Sequence, residues 1–329
     1  MFLEIIWKPK SEMSNKNINE VEVSILVPCY NEELVIERTH KRLKNESEKL
    51  GVKYEIVYVN DGSLDKTKNI LEDIRAKDIG NVKIINFSRN FGHQIAVTAG
   101  IDHVIGKAVI LIDGDLQDPP ELIHEMVRIW KDGYDIVYGQ RKKRKGESLF
   151  KLITAKLFYR LLSYLSDVEI PVDTGDFRLM DRKVVDALKN MPERDRFIRG
   201  MVTWVGFKQF ALLYDRDERL LGESKYPFWK MVGFATDGIL SFSTKPLRIA
   251  TIFGFISSII AFIAIFYAFI MRFIGDPITG WTLMFIAIMF LGGVQLISLG
   301  IIGEYIGRIY GESKKRPLYI MEEPYDENQ

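Results

Sequence analysis

Asp113 and Asp115 flank a single glycine, Gly114, and Gln117 and Asp118 follow directly. Two carboxylates so spaced can share a hard cation such as Mg2+ or Mn2+, leaving coordination positions for the oxygens of a diphosphate. Gln117 adds a neutral oxygen beside them. An acid-glycine-acid triplet alone is weak evidence, because Asp and Gly are ordinary turn residues. Here it ends the apolar run 108–112, where a chance acidic pair would be costly. Two other apolar runs also end in acidic turns: Val27 leads into Pro28-Cys29-Tyr30-Asn31-Glu32, and Val59 into Asn60-Asp61-Gly62-Ser63. Asp61 can accept hydrogen bonds from a nucleotide base or ribose, Pro28 to Tyr30 can wall the base, and Glu32 can accept from a ribose. The competing role for Asp61 or Ser63 is to cap a helix that begins near Lys66. Other phosphate-binding patterns fail. No Gly-x-Gly-x-x-Gly follows an apolar run, and Gly100 to Ala108 has the wrong spacing and an Ala where a Walker loop needs Ser or Thr. The histidines His40, His93, His103 and His124 show no metal-ligand spacing and read as structural or solvated, with only His93 near the expected cleft. Cys29 is the only cysteine, so an internal disulfide or a multi-cysteine zinc site is excluded.

These turns need a scaffold. Strand-like runs at 21–27, 54–59, 82–87, 108–112 and 135–138 alternate with helical patterns at 33–49, 66–76, 94–103 and 121–131. That alternation predicts an α/β domain on a parallel sheet, with ligands at the carboxyl ends of the strands. Residues 148–166 and 226–242 read as amphipathic helices. Packing on the sheet and lying in a membrane interface are both open for them, and the position of the second favours the interface. The basic run that begins at Arg141 reads as a solvated loop or as a contact for anionic headgroups or a phosphate.

The chain of 329 residues carries 45 Lys and Arg against 44 Asp and Glu, which argues against nucleic-acid binding by bulk charge. Hydrophobic residues at 47% exclude disorder as the main state. Residues 249–271 and 277–303 hold no charge, and each is long enough to cross a bilayer as a helix. Basic residues before the first stretch (Lys225, Lys230, Lys245, Arg248) and after the second (Arg308, Lys314, Lys315, Arg316) predict cytosolic flanks and a short external loop. The second stretch has a small-residue face (Gly292, Gly293, Ser298, Gly300, Gly303) suited to close helix packing and to self-association. The expected division is an N-terminal extension (1–20), a cytosolic catalytic domain (21–225, including the amphipathic segment 148–166), an interfacial helix (226–246), transmembrane helices (247–273 and 277–303) and a cytosolic tail (304–329). The start of the chain is too short and too polar for a signal peptide.

Together the turns resemble the family 2 glycosyltransferases of the Rossmann-like GT-A fold. They are most similar to the membrane-anchored polyprenyl-phosphate enzymes, the group of bactoprenol glucosyltransferases and, more distantly, dolichyl-phosphate mannose synthase. The motifs are Pro28-Cys29-Tyr30-Asn31-Glu32, Asp61-Gly62-Ser63, the segment from Asp113 to Pro120, Asp173-Thr174-Gly175-Asp176-Phe177-Arg178 and Gly222-Glu223-Ser224-Lys225-Tyr226. The resemblance implies that Pro28, Tyr30, Glu32, Asp61 and Asp113 bind the nucleotide, and that Asp113, Asp115 and Gln117 hold Mg2+ or Mn2+ with the diphosphate. It implies that Arg141 and Arg178 meet the lipid phosphate, that Asp173 or Asp176 lies near the attacking group, and that Arg219 and Lys225 sit on a closing loop. The processive synthases of this superfamily carry Gln-x-x-Arg-Trp, which is missing here, so transfer of a single sugar is expected. The implied partners are a nucleotide sugar, UDP-glucose first, and a polyprenyl (undecaprenyl) phosphate in the inner membrane. UDP-GlcNAc, a UDP-pentose derivative and GDP-mannose stay open as donors. Two other readings also stay open: a nucleotidyl- or phosphoglycosyl transferase leaving a diphosphate linkage, and an inactive membrane scaffold for a sugar flippase.

Overall fold

The computed structural model describes residues 21–142, 174–215, 243–274 and 280–323. The order is β1 (Val23–Cys29), α1 (Ile36–Lys49), β2 (Tyr54–Asn60), α2 (Thr67–Lys77), β3 (Val82–Asn86), α3 (His93–His103), β4 (Ala108–Leu111), α4 (Ile123–Lys131), β5 (Ile136–Arg141), β6 (Thr174–Asp181), α5 (Arg182–Lys189), α6 (Ile198–Trp204) and β7 (Gln209–Tyr214). The described strands form one sheet in the order β3-β2-β1-β4-β6-β5-β7. The first five expected strands are present, and β1, β2, β3 and β4 pair in parallel. The sequence reading did not anticipate β6, which runs antiparallel between β4 and β5, or β7, which lies parallel to β5 at the edge.

All seven residues of β1 are buried, as a central strand covered on both faces requires. One face packs Ile25, Ile56, Tyr58 and Ile110 against α1, α2 and α4, and the other packs Leu26, Val57, Val109 and Met180 against α3, α5 and α6. Helix α3 sits very close to the sheet. A Cβ on Gly100 would fall 1.9 Å from a methyl of Leu26, so only glycine fits without repacking.

Beyond the sheet, α7 (Lys245–Ile274) and α8 (Trp281–Ser313) pack against one another. Both are long and apolar enough to cross a membrane. Their apolar side chains face outward: Phe262 is 72% exposed and Leu296 70%. A soluble core helix would bury such residues, whereas exposed apolar faces of this length suit contact with lipid. Helix α8 continues ten residues past the uncharged stretch, through Arg308 to Ser313. The following residues are no loose tail: Phe87 and Met321 form an antiparallel bridge. The interfacial helix expected at 226–246 falls almost wholly outside the described residues, as do the segment 148–166 and the N-terminal extension.

Candidate active site

The loops after β1 and β2 are fastened to each other. Asn31, at φ 53°, donates its amide to Ser63 Oγ (3.0 Å) and accepts from the Leu64 amide (2.9 Å). The Glu32 amide donates to Thr67 Oγ1 (2.8 Å), and the Lys66 amide to the Glu33 carboxylate (3.0 Å). Asp65, not Asp61 or Ser63, satisfies the start of α2, by accepting from the Thr67 amide at 3.0 Å. Asp61 is freed for another task. Only 3% exposed, it accepts the backbone amides of Phe91 (2.6 Å) and Gly92 (2.9 Å) from the loop after β3. Burial raises its pKa, against the pull of those two amides. Gly62 allows this contact: at φ +63° it lies so near the Arg89 backbone that a Cβ would come within 2.3 Å.

The turn after β4 is also tightly held. Thr39 on α1 donates to the Gly114 carbonyl (2.8 Å), and the Gln117 amide donates to Asp115 Oδ1 (3.1 Å). Leu116 takes φ 60° with its side chain buried, a left-handed conformation unusual for leucine and typical of over-determined functional turns. Tyr214 at the end of β7 donates its hydroxyl to Asp118. Arg141, at the end of β5, lies over Gly175, where a Cβ would stand 2.9 Å from its Nη2.

Between these turns sits a charged network. His93 Nε2 is 2.8 Å from Asp176 Oδ2 and 3.8 Å from Asp113 Oδ1. The other Asp176 oxygen accepts from Arg199 Nε at 2.6 Å. Burial alone would lower the His93 pKa, but the Asp176 hydrogen bond and the charges of Asp113 and Asp176 outweigh it and push it to about 9. Asp176 is nearly fully buried, yet Arg199 and His93 hold its carboxyl well below the usual range. Asp113 moves the other way. Burial and the neighbouring charges of Asp176, Asp118 and Asp115 outweigh His93 and raise it to about 6. Arg178, 4% exposed, donates to the carbonyls of Asp176 (3.2 Å) and Gly175 (3.0 Å), and burial pulls it down to about 10.

Asp113 and Asp115 fit a hard divalent cation. Both are partly exposed oxygen donors on one turn, with the carboxylates of Asp118 and Asp176 close to Asp113. Among the described residues no three His, Cys, Asp or Glu side chains form a closed metal cage. An open site of two carboxylates completed by phosphate oxygens suits Mg2+ or Mn2+.

The carboxyl edge of the sheet therefore carries Pro28, Tyr30, Glu32, Asp61, Asp113, Asp115, Gln117 and Arg141. Because β6 is antiparallel, its beginning brings Asp176 and Arg178 to the same edge. Pro28 is buried within β1 and Arg178 within β6, whereas Tyr30 and Glu32 are partly exposed. Asp173, Arg219 and Lys225 lie outside the described residues. Sequence reasoning set His93 aside as structural and overlooked Arg199. The usable signal was the placing of His93 directly after a strand-end loop, at the first turn of α3.

Residues 24–189 match the family described as "Glycosyl transferase family 2", and residues 245–309 match the "GtrB C-terminal hairpin". A Bacillus subtilis (strain 168) protein, "Uncharacterized glycosyltransferase YkcC", is 53% identical over 93% of this chain and 94% of its own length. The "Prophage bactoprenol glucosyl transferase homolog" of Escherichia coli (strain K12) is 42% identical over 92% of this chain and 98% of its own. Glucosyl-3-phosphoglycerate synthase from Mycobacterium tuberculosis, solved with Mn2+, uridine-diphosphate and phosphoglyceric acid, is a looser likeness. It has 18% identity and a TM-score of 0.43, and covers 67% of this chain and 76% of that one.

Proposed function

The chain belongs to glycosyltransferase family 2, and we propose that it moves one sugar, glucose first among the candidates, from a UDP-sugar to a polyprenyl phosphate at the cytosolic membrane face. The observation that carries this reading is the oxygen-only Asp113-Gly114-Asp115 turn at the carboxyl edge of the sheet, in a chain that also carries a hairpin suited to contact with lipid. The relatives named for bactoprenol glucosyl transfer, similar over nearly their whole length, support the choice of acceptor and sugar.

The chemistry asks little of a base. A phosphate monoester has a second pKa of about 6, so the acceptor is largely dianionic at neutral pH and is already a nucleophile. The geometry agrees: both oxygens of Asp176 are engaged by cations, which suits a group that orients its neighbours better than one that removes a proton. Asp61 and its loop hold the nucleoside side, with Tyr30, Glu32 and Pro28 around the base and ribose. Asp113, Asp115 and Gln117 would hold Mg2+ or Mn2+, which neutralises the leaving diphosphate. Arg141 and Arg178 would meet the acceptor phosphate at the start of β6, Arg178 also supporting the backbone there through the Gly175 carbonyl. Asp173 near the attacking group, with Arg219 and Lys225 on a closing loop, completes the assignment by family resemblance. In-line attack inverts the anomeric carbon, so an α-linked donor gives a β-linked product.

The test is a panel of nucleotide sugars, each supplied with undecaprenyl phosphate and Mg2+ to the full chain in detergent. The expected result is sugar passing into the organic phase from UDP-glucose, and at least ~10²-fold less with Asp115→Asn. Failure with every donor would remove the reading.

A further inference from the structure

Past Ser313 the chain crosses to the outer edge of β3. Its start is held by Arg194, whose amide donates to Glu312 Oε1 (2.7 Å) and whose guanidinium donates to the Arg316 carbonyl. Tyr319 then stacks on Phe87, with ring centroids 5.2 Å apart and planes at 18°, and its hydroxyl donates to Asp102 at 3.2 Å. The Ser88 amide donates to the Ile320 carbonyl (3.0 Å) and the Glu322 amide to the Asn86 carbonyl (2.9 Å), closing a short antiparallel bridge. Phe91 meets Phe87 edge-on at 5.5 Å, so Phe87 contacts two rings and is 1% exposed.

The segment gripped in this way leads straight into the site. Residues 88–90 are exposed, and the next two amides, of Phe91 and Gly92, are those that bind Asp61. His93 follows, against Asp176. We propose that residues 317–323 are a positioning strap for the donor side of the site: Tyr319 and the bridge at Met321 fix the 88–92 loop, and through it Asp61 and His93. Only residues 314–316 separate the strap from the end of α8, so it also joins the membrane hairpin mechanically to the nucleotide loop. Tyr319 acts through Phe87 and is a positioning residue. The inference rests on the proposed nucleotide role of Asp61.

Amide hydrogen exchange on the full chain in detergent tests the strap without any ligand. In Tyr319→Ala, and in a chain ended after Arg316, exchange across 86–92 should rise roughly tenfold, the scale of one lost aromatic pair together with its buried area, while β1 and β4 keep their protection. Tyr319→Phe keeps the stack and should stay close to wild type. With UDP-glucose and undecaprenyl phosphate, the donor KM of Tyr319→Ala should rise by a similar factor, with kcat and the acceptor KM little changed. Unchanged exchange in both variants would overturn the strap. So would equal damage in Tyr319→Phe, or loss of protection in every strand. A wild-type chain that turns over no donor would instead remove the proposed function, and the exchange result would still decide the strap.

Discussion

Replacing Asp176 by Asn removes a negative charge and almost no volume. The carboxylate is 3% exposed and is fixed by Arg199 at 2.6 Å and His93 at 2.8 Å. Each charged hydrogen bond contributes about 1.5–3 kcal/mol, and an amide can accept from only one of the two cations while turning its NH2 toward the other. The expected loss is about 3 kcal/mol, the lower end for breaking a buried ion pair. The pH dependence gives a sharper signature. The pKa of His93 is raised by folding to about 9, so its stabilising contribution is complete below about pH 6.5 and disappears as the pH climbs through 9. A rise of that size corresponds to roughly 3 kcal/mol, which we halve because the ring is 33% exposed and screened. The assay is thermal unfolding of the full chain in detergent with chelator, followed by tryptophan fluorescence across that window, alongside histidine-ring NMR. The wild type should lose melting temperature toward high pH. Asp176→Asn should start lower and stay flatter, with the His93 titration about 1–2 units down. A variant as stable as wild type, or one whose His93 still titrates near 9, would refute the network.

Four further outcomes are expected. Asp115→Asn should lower turnover at least ~10²-fold, and chelator should stop the wild type, as loss of major charge stabilisation requires; full activity in excess chelator would remove the metal role. Gly62→Ala, with φ +63° and a backbone atom 2.3 Å from the new Cβ, should raise the donor KM, whereas Gly80→Ala, at φ +94° with open space around it, should cost stability only. Cysteine placed at Thr279 should react with an impermeant thiol reagent from outside and cysteine at Ser313 should not, the native Cys29 being buried. Arg219→Ala should lower kcat/KM on a short-chain prenyl phosphate roughly 10- to 100-fold, the scale of one charged hydrogen bond, without loosening membrane attachment.

The five parallel-type strands and the acidic turns were legible in the sequence because each joins an apolar run to residues that burial would penalise. Strand β6 was not, since Asp176 and Arg178 interrupt its apolar pattern. The burial of Asp176 makes sense only once His93 and Arg199 are seen to reach it, and that of Arg178 once its bonds to the Gly175 and Asp176 carbonyls are seen. His93 looked like an isolated histidine for the same reason. Asp61 was singled out, but its amide partners belong to a loop whose path depends on β3 and Gly62. The pairing of residues 319–322 was hidden because so short a segment carries no periodicity; its partner strand alone makes it extended. The apolar hairpin was the plainest signal; its helices differ from the expected spans at their ends, α7 running Lys245–Ile274 rather than 247–273 and α8 Trp281–Ser313 rather than 277–303.

The claim that one sugar, without its phosphate, passes to a lipid monophosphate is tested most directly by the mass of the lipid product. Wild-type chain, UDP-glucose, Mg2+ and undecaprenyl phosphate should give a lipid heavier by one hexose residue, with UDP as co-product and a β anomeric linkage. A product carrying an additional phosphate, with UMP released, would contradict the account and point to phosphoglycosyl transfer.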